Sequence, residues 1–505
     1  MKVILIGAGP GDPGLLTIKG REMLAAADVV VYDALANESL LQYARPDAEK
    51  IYVGKVAGDH ALPQQEINAL LVQKAKGNKV VARLKGGDPF IFGRGGEEAE
   101  VLATAGVPFE VIPGISSTIA APAYAGIPLT HRDAASSVTI ITGHENPDKP
   151  GSAHNWKALA ASASTLVFVM GMKNLPDIVR NLIAAGMDST TPSALIYRGT
   201  TPAQRSLATT LAELPRAARE AHFTNPSIIL VGKVASLRNT LNWFEKKPLF
   251  GISVVVTRAR EQASELAQSL AVLGAEVIQC PTIEIHPLRD YTALDTAIAA
   301  LRSYHWCIFT SVNGVRFFWL RMQKLGFDSR ALGNIRIAAI GPATAAALRD
   351  HGIEPDAIPS RYMAEGIVAC LLSNENGHVE GKHFLLPRAA KARDVLPNEL
   401  RKAGAMVDVI PAYETIPAKG HKNEVLARLE AGTLSCVTFG SSSTVENFLS
   451  VIPAAMLRNH PETKLAAIGP VTADTLRRHN LPCDIMPEKY TIPALIEALQ
   501  TFFAR

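Results

Sequence analysis

The sequence predicts an α/β protein of several layered domains, and three observations carry the prediction. The first half alternates short apolar runs with longer amphipathic ones. The second half repeats itself at an offset of about 130 residues. Hydrophobic residues make up 48% of the 505-residue chain and charged residues 19%, which fills large cores and argues against disorder. At about 150 residues per domain, the length suggests three domains, give or take one.

In the first half, Val3–Ile6, Val29–Tyr32, Val80–Leu84, Val138–Thr142, Leu166–Met170 and Ile228–Val231 read as short buried strands. Leu16–Ala27, Gln64–Lys76 and Glu97–Ala105 read as the helices between them, and such alternation means a layered α/β fold. Lys2 before an apolar run resembles a signal peptide, but glycine and proline break the run after Ile6, so a first strand is the better reading. The segment Asn239–Pro248, with its charges and proline, suits a linker or domain edge.

In the second half, Val255-Val-Thr-Arg-Ala259 matches Leu385-Leu-Pro-Arg-Ala389, and Phe309-Thr-Ser-Val-Asn-Gly314 matches Phe439-Gly-Ser-Ser-Ser-Thr444, both 130 residues on. Ala338-Ala-Ile-Gly-Pro-Ala-Thr-Ala345 matches Ala466-Ala-Ile-Gly-Pro-Val-Thr-Ala473 at 128. Two copies are too few for a solenoid. They fit two similar α/β lobes facing a cleft, with ligands at the carboxyl ends of the strands.

The net charge of +4 is small for this length, which disfavours a nucleic-acid binder and leaves room for a local basic pocket. The five cysteines are dispersed and form no CxxC, so neither a metal site nor a disulfide framework is expected, and reduced cytosolic thiols are. No apolar stretch reaches the roughly 20 residues that a membrane helix needs.

Gly7-Ala-Gly-Pro-Gly-Asp12 follows the first strand like a dinucleotide fingerprint, and Asp33 stands where a ribose-binding acid would. Yet Asp12 replaces the third glycine and Pro10 removes an amide donor, so a nicotinamide oxidoreductase is a weak alternative. The stretch Leu84–Glu98 packs five glycines between Gly86 and Gly96, more than a turn needs; glycine lets a ligand approach the backbone. Asp88 and Arg94 place opposite charges on this loop, and the plain alternative is a turn closed by a surface ion pair. Two more loops, Ile112–Thr118 and Ala125–Asp133, follow apolar runs. Met170 ends another, where methionine is commonly core filler, and Asp33 in its position could equally be a helix N-cap.

The motifs GAGPGDPGLLT, VVVYDALA, VGK, RLKGGDPFIFGRGGEE, PGISS, AGIPLTHRD and VFVMGM stand in the order found in uroporphyrinogen-III C-methyltransferases, so residues 1–245 resemble the tetrapyrrole methylase family. The resemblance implies two α/β subdomains with S-adenosylmethionine held between them in a folded shape. By motif, Pro10, Gly86, Gly87, Asp88, Ile91, Ser116, Ser117, Met170 and Gly199 would line the cofactor pocket. Asp33 matches the family's proton acceptor, Lys55 its proton donor, and Arg94 would face the substrate. Ser116-Ser117 replaces the threonine and small residue of many members. Methyl transfer from the sulfonium to C2 and C7 of uroporphyrinogen III would give precorrin-2, and a homodimer is expected. The family also leaves open methylation of another corrinoid intermediate.

The loop order VTRA, TSVNGV, IGPATA, PRA, TFGSSS and IGPVTA resembles uroporphyrinogen-III synthase over residues 252–505, after a linker at 246–251. This implies two flavodoxin-like lobes, one of about 252–284 plus 413–505, the other of 285–412, closing hydroxymethylbilane with inversion of ring D and without a cofactor or metal. Arg258, Thr310, Ser311, Asn313, Arg388, Ser441 and Ser442 would bind the substrate, and Tyr413 matches a tyrosine near the departing hydroxyl. Each loop could offer backbone N–H groups at a helix start; the plain alternative is ordinary capped turns. The second half could instead be a bilobed tetrapyrrole-binding module without turnover. A fused enzyme taking hydroxymethylbilane towards precorrin-2, on the sirohaem or cobalamin route, is expected. No segment before Met1 would supply oxidation and ferrochelation, so iron insertion is not.

Overall fold

A computed structural model describes residues 2–54, 62–143, 154–162, 164–257, 263–281, 283–360, 362–392, 394–417 and 422–504. The chain forms two compact units. One comprises Met1–Val254 with Gln268–Val277 and Leu499–Arg505; the other comprises Val255–Ala267 and Ile278–Ala498.

The first unit holds two five-stranded sheets. Strands β1 (Lys2–Gly7), β2 (Val29–Tyr32), β3 (Glu49–Tyr52), β4 (Val80–Lys85) and β5 (Phe109–Ile112) lie in the order β3-β2-β4-β1-β5. All their pairings are parallel. Val3 to Ile6 and Val29 to Val31 are fully buried, as the continuous apolar runs of parallel strands require. The second sheet contains β6 (Val138–Thr142), β7 (Thr165–Val169), β8 (Pro192–Tyr197), β9 (Arg205–Thr210) and β10 (Ser227–Val231), in the order β6-β7-β10-β8-β9. Only β6 and β7 pair in parallel; the remaining ladders are antiparallel. Within the segment read as a linker or domain edge, Phe244 packs tilted against Tyr124 and edge-on against Phe250, and the following Leu249 is fully buried.

Beyond it, β11 (Ser253–Val256) and β12 (Glu276–Gln279) begin a third sheet. The chain then leaves to build β13 (Ile283–His286), β14 (Trp306–Phe309), β15 (Arg336–Ala339), β16 (His383–Ala389) and β17 (Met406–Pro417), and returns with β18 (Cys436–Phe439) and β19 (Lys464–Ala467). The third sheet has the order β12-β11-β18-β19 and the fourth β13-β17-β16-β14-β15. β17 is long because it serves two ladders, parallel to β16 up to Tyr413 and antiparallel to β13 from Glu414.

The repeat is structural. β14 and β18, and β15 and β19, occupy matching places, and beside each last pair a bridge recurs, Ala338 to Ala357 and Ala466 to Ile485. The amide of Ile337 donates to Asp356 at 2.7 Å and that of Leu465 to Asp484 at 2.8 Å. All five cysteines are free thiols. Among the described residues no helix is long and apolar enough to cross a membrane and no group of side chains could hold a metal ion.

Candidate active sites

Four loops leave the carboxyl ends of neighbouring parallel strands in the first sheet, so the topology alone brings them together. The loop after β1 bridges the loop after β4: Gly9 N donates to Gly87 O at 3.2 Å and Gly87 N to Gly9 O at 2.7 Å. The loop after β5 joins them through Asp88, whose Oδ2 accepts from Gly114 N at 2.9 Å while Oδ1 accepts from Phe90 N at 2.8 Å. The turn after β2 closes the group, Leu35 lying against Gly86 so tightly that a Cβ there would stand 2.5 Å away.

Glycine is needed here for close approach. A Cβ on Gly114 would stand 2.3 Å from Gly87 O, and one on Gly7 2.4 Å from Gly114 Cα. Gly87 has φ +68°, and its open face meets nothing nearer than Ser116 Cα and Ser117 N at 3.8 Å. Ser116 is buried and caps the Ser117–Tyr124 helix. This cradle leaves the Gly87 backbone uncovered, and Pro10, Gly86, Gly87, Asp88, Ser116 and Ser117 all stand in the loops and helix start that form it.

Asp12 ties the cradle to the second sheet. Its N–H donates to Thr200 Oγ1 at 3.1 Å, its Oδ1 accepts from Gly14 N at 2.8 Å and its Oδ2 accepts from Tyr124 O–H at 2.7 Å. Burial, then this bond to Asp12, raises the Tyr124 pKa well above the ordinary phenol value. Gly199 presses on the same helix, where a Cβ would stand 2.3 Å from Ala121 Cβ. Its neighbours Arg198 and Thr200 both adopt positive φ, 45° and 72°, a strained turn for residues with side chains. The fingerprint-like motif therefore serves as a fastening: the carboxylate is spent within the protein.

Met170 departs from the core-filler expectation. It has φ 55° and is 50% exposed, because the left-handed turn swings it off the end of β7. Ile91 is likewise 44% exposed. Arg94 pairs with Glu97, through Nε–Oε1 at 2.9 Å and NH2–Oε2 at 2.6 Å, so the loop's ion pair is not with Asp88. Arg94 takes φ 58° as it starts the Gly95–Thr104 helix, which sets its side chain over the residue three further on.

Asp33 follows β2. Its Oδ1 accepts from Leu35 N at 3.1 Å, a local turn, and its Oδ2 pairs with Arg83 NH2 at 2.9 Å. Arg83, Lys85 and Glu98 form a buried cluster behind it that sequence reasoning passed over; the signal was two cations on one face of an otherwise apolar central strand. Lys55 and Arg258 lie outside the described residues.

In the second unit, Ser311 caps the Val312–Lys324 helix, accepting from Gly314 N at 3.0 Å, and its Oγ lies 3.1 Å from Tyr413 Oη. Tyr413 is 7% exposed and stacks on Phe317. Burial raises its pKa, opposed by the Ser311 bond. Pro387 O would meet a Cβ on Gly314 at 3.1 Å, and Ala390 N donates to Tyr413 O at 2.9 Å, so the end of β16 that carries Arg388, the Ser311 loop and Tyr413 form one group. Arg388 pairs with Asp394. Asn313 is buried within the first turn of this helix and Thr310 is partly buried before it.

The matching loop of the third sheet is built differently. Ser441 caps the Ser442–Leu449 helix in a reciprocal box with Thr444, and its Oγ lies 2.9 Å from Ser443 Oγ. Ser442 Oγ donates to Val471 O at 3.1 Å, joining this loop to the one after β19. The helix-capping alternative thus describes the local duty of both Ser311 and Ser441.

The family model for tetrapyrrole (corrin/porphyrin) methylases matches residues 2–215, and that for uroporphyrinogen-III synthase HemD matches 264–497. The chain is 41% identical over 505 residues to the porphyrin biosynthesis protein HemD of Ruminiclostridium josui, covering 98% of this chain and 97% of the relative. It is 50% identical over 246 residues to a uroporphyrinogen-III C-methyltransferase of Bacillus subtilis, covering 49% of this chain and 95% of that one. Among solved structures, uroporphyrin-III C-methyltransferase of Thermus thermophilus complexed with S-adenyl homocysteine is 38% identical, covering 47% of this chain and 100% of that one, with a TM-score of 0.41.

Proposed function

Because the chain belongs to the tetrapyrrole methylase family in its first half and to the uroporphyrinogen-III synthase family in its second, we propose that it is one bifunctional enzyme of tetrapyrrole biosynthesis. The second half cyclises hydroxymethylbilane to uroporphyrinogen III with inversion of ring D; the first methylates that product at C2 and C7 to precorrin-2. The observation that carries the reading is the pairing itself: the compound that one family is named for making is the compound relatives of the other half are named for methylating. We place the methyltransferase at 1–245 and the synthase at 252–505, with lobes of 252–284 plus 413–505 and of 285–412.

The cradle fits S-adenosylmethionine, since Gly87 presents open backbone beside Ser116 and Ser117, and a side chain at Gly7 or Gly114 would force apart the loops that frame it. Pro10, Gly86, Gly87, Asp88, Ile91, Ser116, Ser117, Met170 and Gly199 would hold it, and it would supply a methyl group activated by sulfonium. The protein's own contribution is alignment, worth several orders of magnitude in rate. Asp88 fixes the Gly114 loop, Asp12 fixes the Thr200 loop, and Asp33 takes the proton that the porphyrinogen releases elsewhere in the macrocycle once the new carbon–carbon bond has formed. Uroporphyrinogen carries eight carboxylates, so Arg94 on its exposed loop would exchange Glu97 for a substrate carboxylate. In the second half Tyr413 and Ser311 would face the departing hydroxyl, with Arg258, Thr310, Asn313, Arg388, Ser441 and Ser442 holding the bilane.

The test is anaerobic incubation of the purified chain with hydroxymethylbilane and S-adenosylmethionine, followed by mass spectrometry and isomer analysis. A dimethylated type III product is expected. Unmethylated type III alone would refute the first half of the reading; type I alone, without methyl transfer, would refute both halves.

A further inference from the structure

Behind Asp33 lies a chain of four charges. Lys85 Nζ donates to Glu98 Oε1 at 2.7 Å, Arg83 Nε to the same oxygen at 3.3 Å, and Arg83 NH2 to Asp33 Oδ2 at 2.9 Å. Glu98 is 0% exposed, and the Arg83 and Lys85 side chains 3% and 5%; Asp33, at 26%, is the outermost member. Gln64 Nε2 also donates to Glu98 Oε1, at 3.1 Å, while Oε2 is buried with no partner among the described residues. Arg83 is pinned further by NH1 donating to Leu84 O at 3.1 Å.

Two cations and two anions balance, but they balance inside the protein. Such clusters are poor stabilisers, since apolar side chains of equal volume commonly pack as well or better. Stability therefore does not account for them. Geometry does: Arg83 and Lys85 stand two apart on the central strand and share one face, and Glu98 comes from the first turn of the Gly95–Thr104 helix, where the helix dipole favours an anion. Burial, then the neighbouring Arg83, pushes the Lys85 pKa down, and the Glu98 carboxylate opposes that shift.

The geometry points to Glu98 as a positioning residue for methyl transfer: through the one oxygen it shares between Lys85 and Arg83 it orients Arg83, and Arg83 orients the Asp33 carboxylate. This rests on the reading of the first half as a methyltransferase with Asp33 as proton acceptor. Removing the Glu98 charge leaves two buried cations and one anion. Lys85 then competes with Arg83 for Asp33, and the carboxylate is drawn inward from the proton it must take. Removing the Lys85 charge as well restores the balance.

The full chain is tested as Glu98→Gln and as the double variant Glu98→Gln/Lys85→Met, measuring kcat and KM for S-adenosylmethionine with uroporphyrinogen III, plus S-adenosylhomocysteine affinity. Glu98→Gln is expected to lower kcat by about tenfold or more while KM and affinity stay within about twofold, and the double variant to return to within about threefold of the unmodified chain. A merely structural role would move affinity together with kcat and make the double variant worse than the single. Wild-type rates in Glu98→Gln, or a double variant slower than the single, would overturn the inference. Should Glu98→Gln fail to fold, the charge-balanced double variant decides, and a loss beyond about tenfold in it would count against the proposal. If the unmodified chain transfers no methyl group to uroporphyrinogen III, the reading of the first half fails and takes this inference with it.

Discussion

Gly114→Ala should abolish cofactor binding with little change of composition. The added Cβ would stand 2.3 Å from Gly87 O, 2.6 Å from Gly7 Cα and 2.8 Å from Gly7 C. Ordinary carbon contacts to these atoms need about 3.4–4 Å, so the loops after β1, β4 and β5 must separate by about 1 Å. All three neighbours are backbone, two of Gly7 at the end of β1 and one of Gly87 in the loop after β4, so no rotamer change relieves the clash. Overpacking of this kind costs about 1–3 kcal/mol in stability. The larger effect falls on the cradle, because the Gly9–Gly87 bridge and the Asp88–Gly114 bond both span the gap that must open. Gly96→Ala is the control: its Cβ meets nothing within 4 Å, φ is not positive there, and it lies in the first turn of a helix, so it should stabilise by about 0.5–1 kcal/mol. Calorimetric titration with S-adenosylhomocysteine and thermal melting report the two effects separately. Affinity for Gly114→Ala within twofold of the unmodified chain would refute the close-approach argument.

Tyr124→Phe removes the phenol from Asp12 and should cost about 0.5–1.5 kcal/mol, more if the carboxylate loses its orientation; denaturant melts should show a lower midpoint with unchanged slope. Tyr413→Phe should lower type III formation from hydroxymethylbilane, with a stability loss of about 1 kcal/mol or less for the single bond to Ser311; an unchanged type III to type I ratio would remove Tyr413 from the chemistry. Burial works against ionisation of Glu375, but bonds from Lys382 and Trp306 outweigh it and hold its carboxyl below the ordinary glutamate value. Its contribution is therefore complete above the unfolded pKa of about 4.5 and is lost as pH falls through the lower folded value. Melting scans from pH 6 to 3 should show a smaller acid loss in Glu375→Gln than in the unmodified chain.

The sequence made the central strands legible and the edges much less so. Val29–Tyr32 runs to the same residues as its strand because a continuous apolar run has one comfortable place, a buried strand, and Val138–Thr142 does so even at a sheet edge because every residue in it is β-branched. Glu49–Tyr52 and Arg205–Thr210 escaped because edge strands carry polar residues and lack that run. Among site residues, the glycine loop was visible as excess glycine, whereas the partners of its charges were not. Arg94 pairs with Glu97 and not with Asp88, since the left-handed start of the helix decides its direction. Arg83 and Glu98 are 15 residues apart and meet only through the fold.

The repeat in the second half supplies an internal comparison for where chemistry resides. Both copies keep the aspartate that accepts a strand amide, the glycine before the Pro342 and Pro470 helices, and a tyrosine against that glycine, Tyr362 beside Gly341 and Tyr490 beside Gly469. These shared features build the lobe. The cap serines differ: Ser441 has Ser443 and Thr444 around it, both from its own turn, whereas Ser311 has the buried Tyr413 from a strand 102 residues away. A local partner suffices to start a helix. A distant phenol, placed where β17 changes from its parallel to its antiparallel ladder, does more than capping requires. Departure from the repeat thus singles out Ser311 and Tyr413 over Ser441 and Ser442. Ser311→Ala should therefore impair type III formation more than Ser441→Ala at similar loss of stability, each cap being worth about 0.5–2 kcal/mol. Equal rates at equal stability would leave the asymmetry without a catalytic meaning.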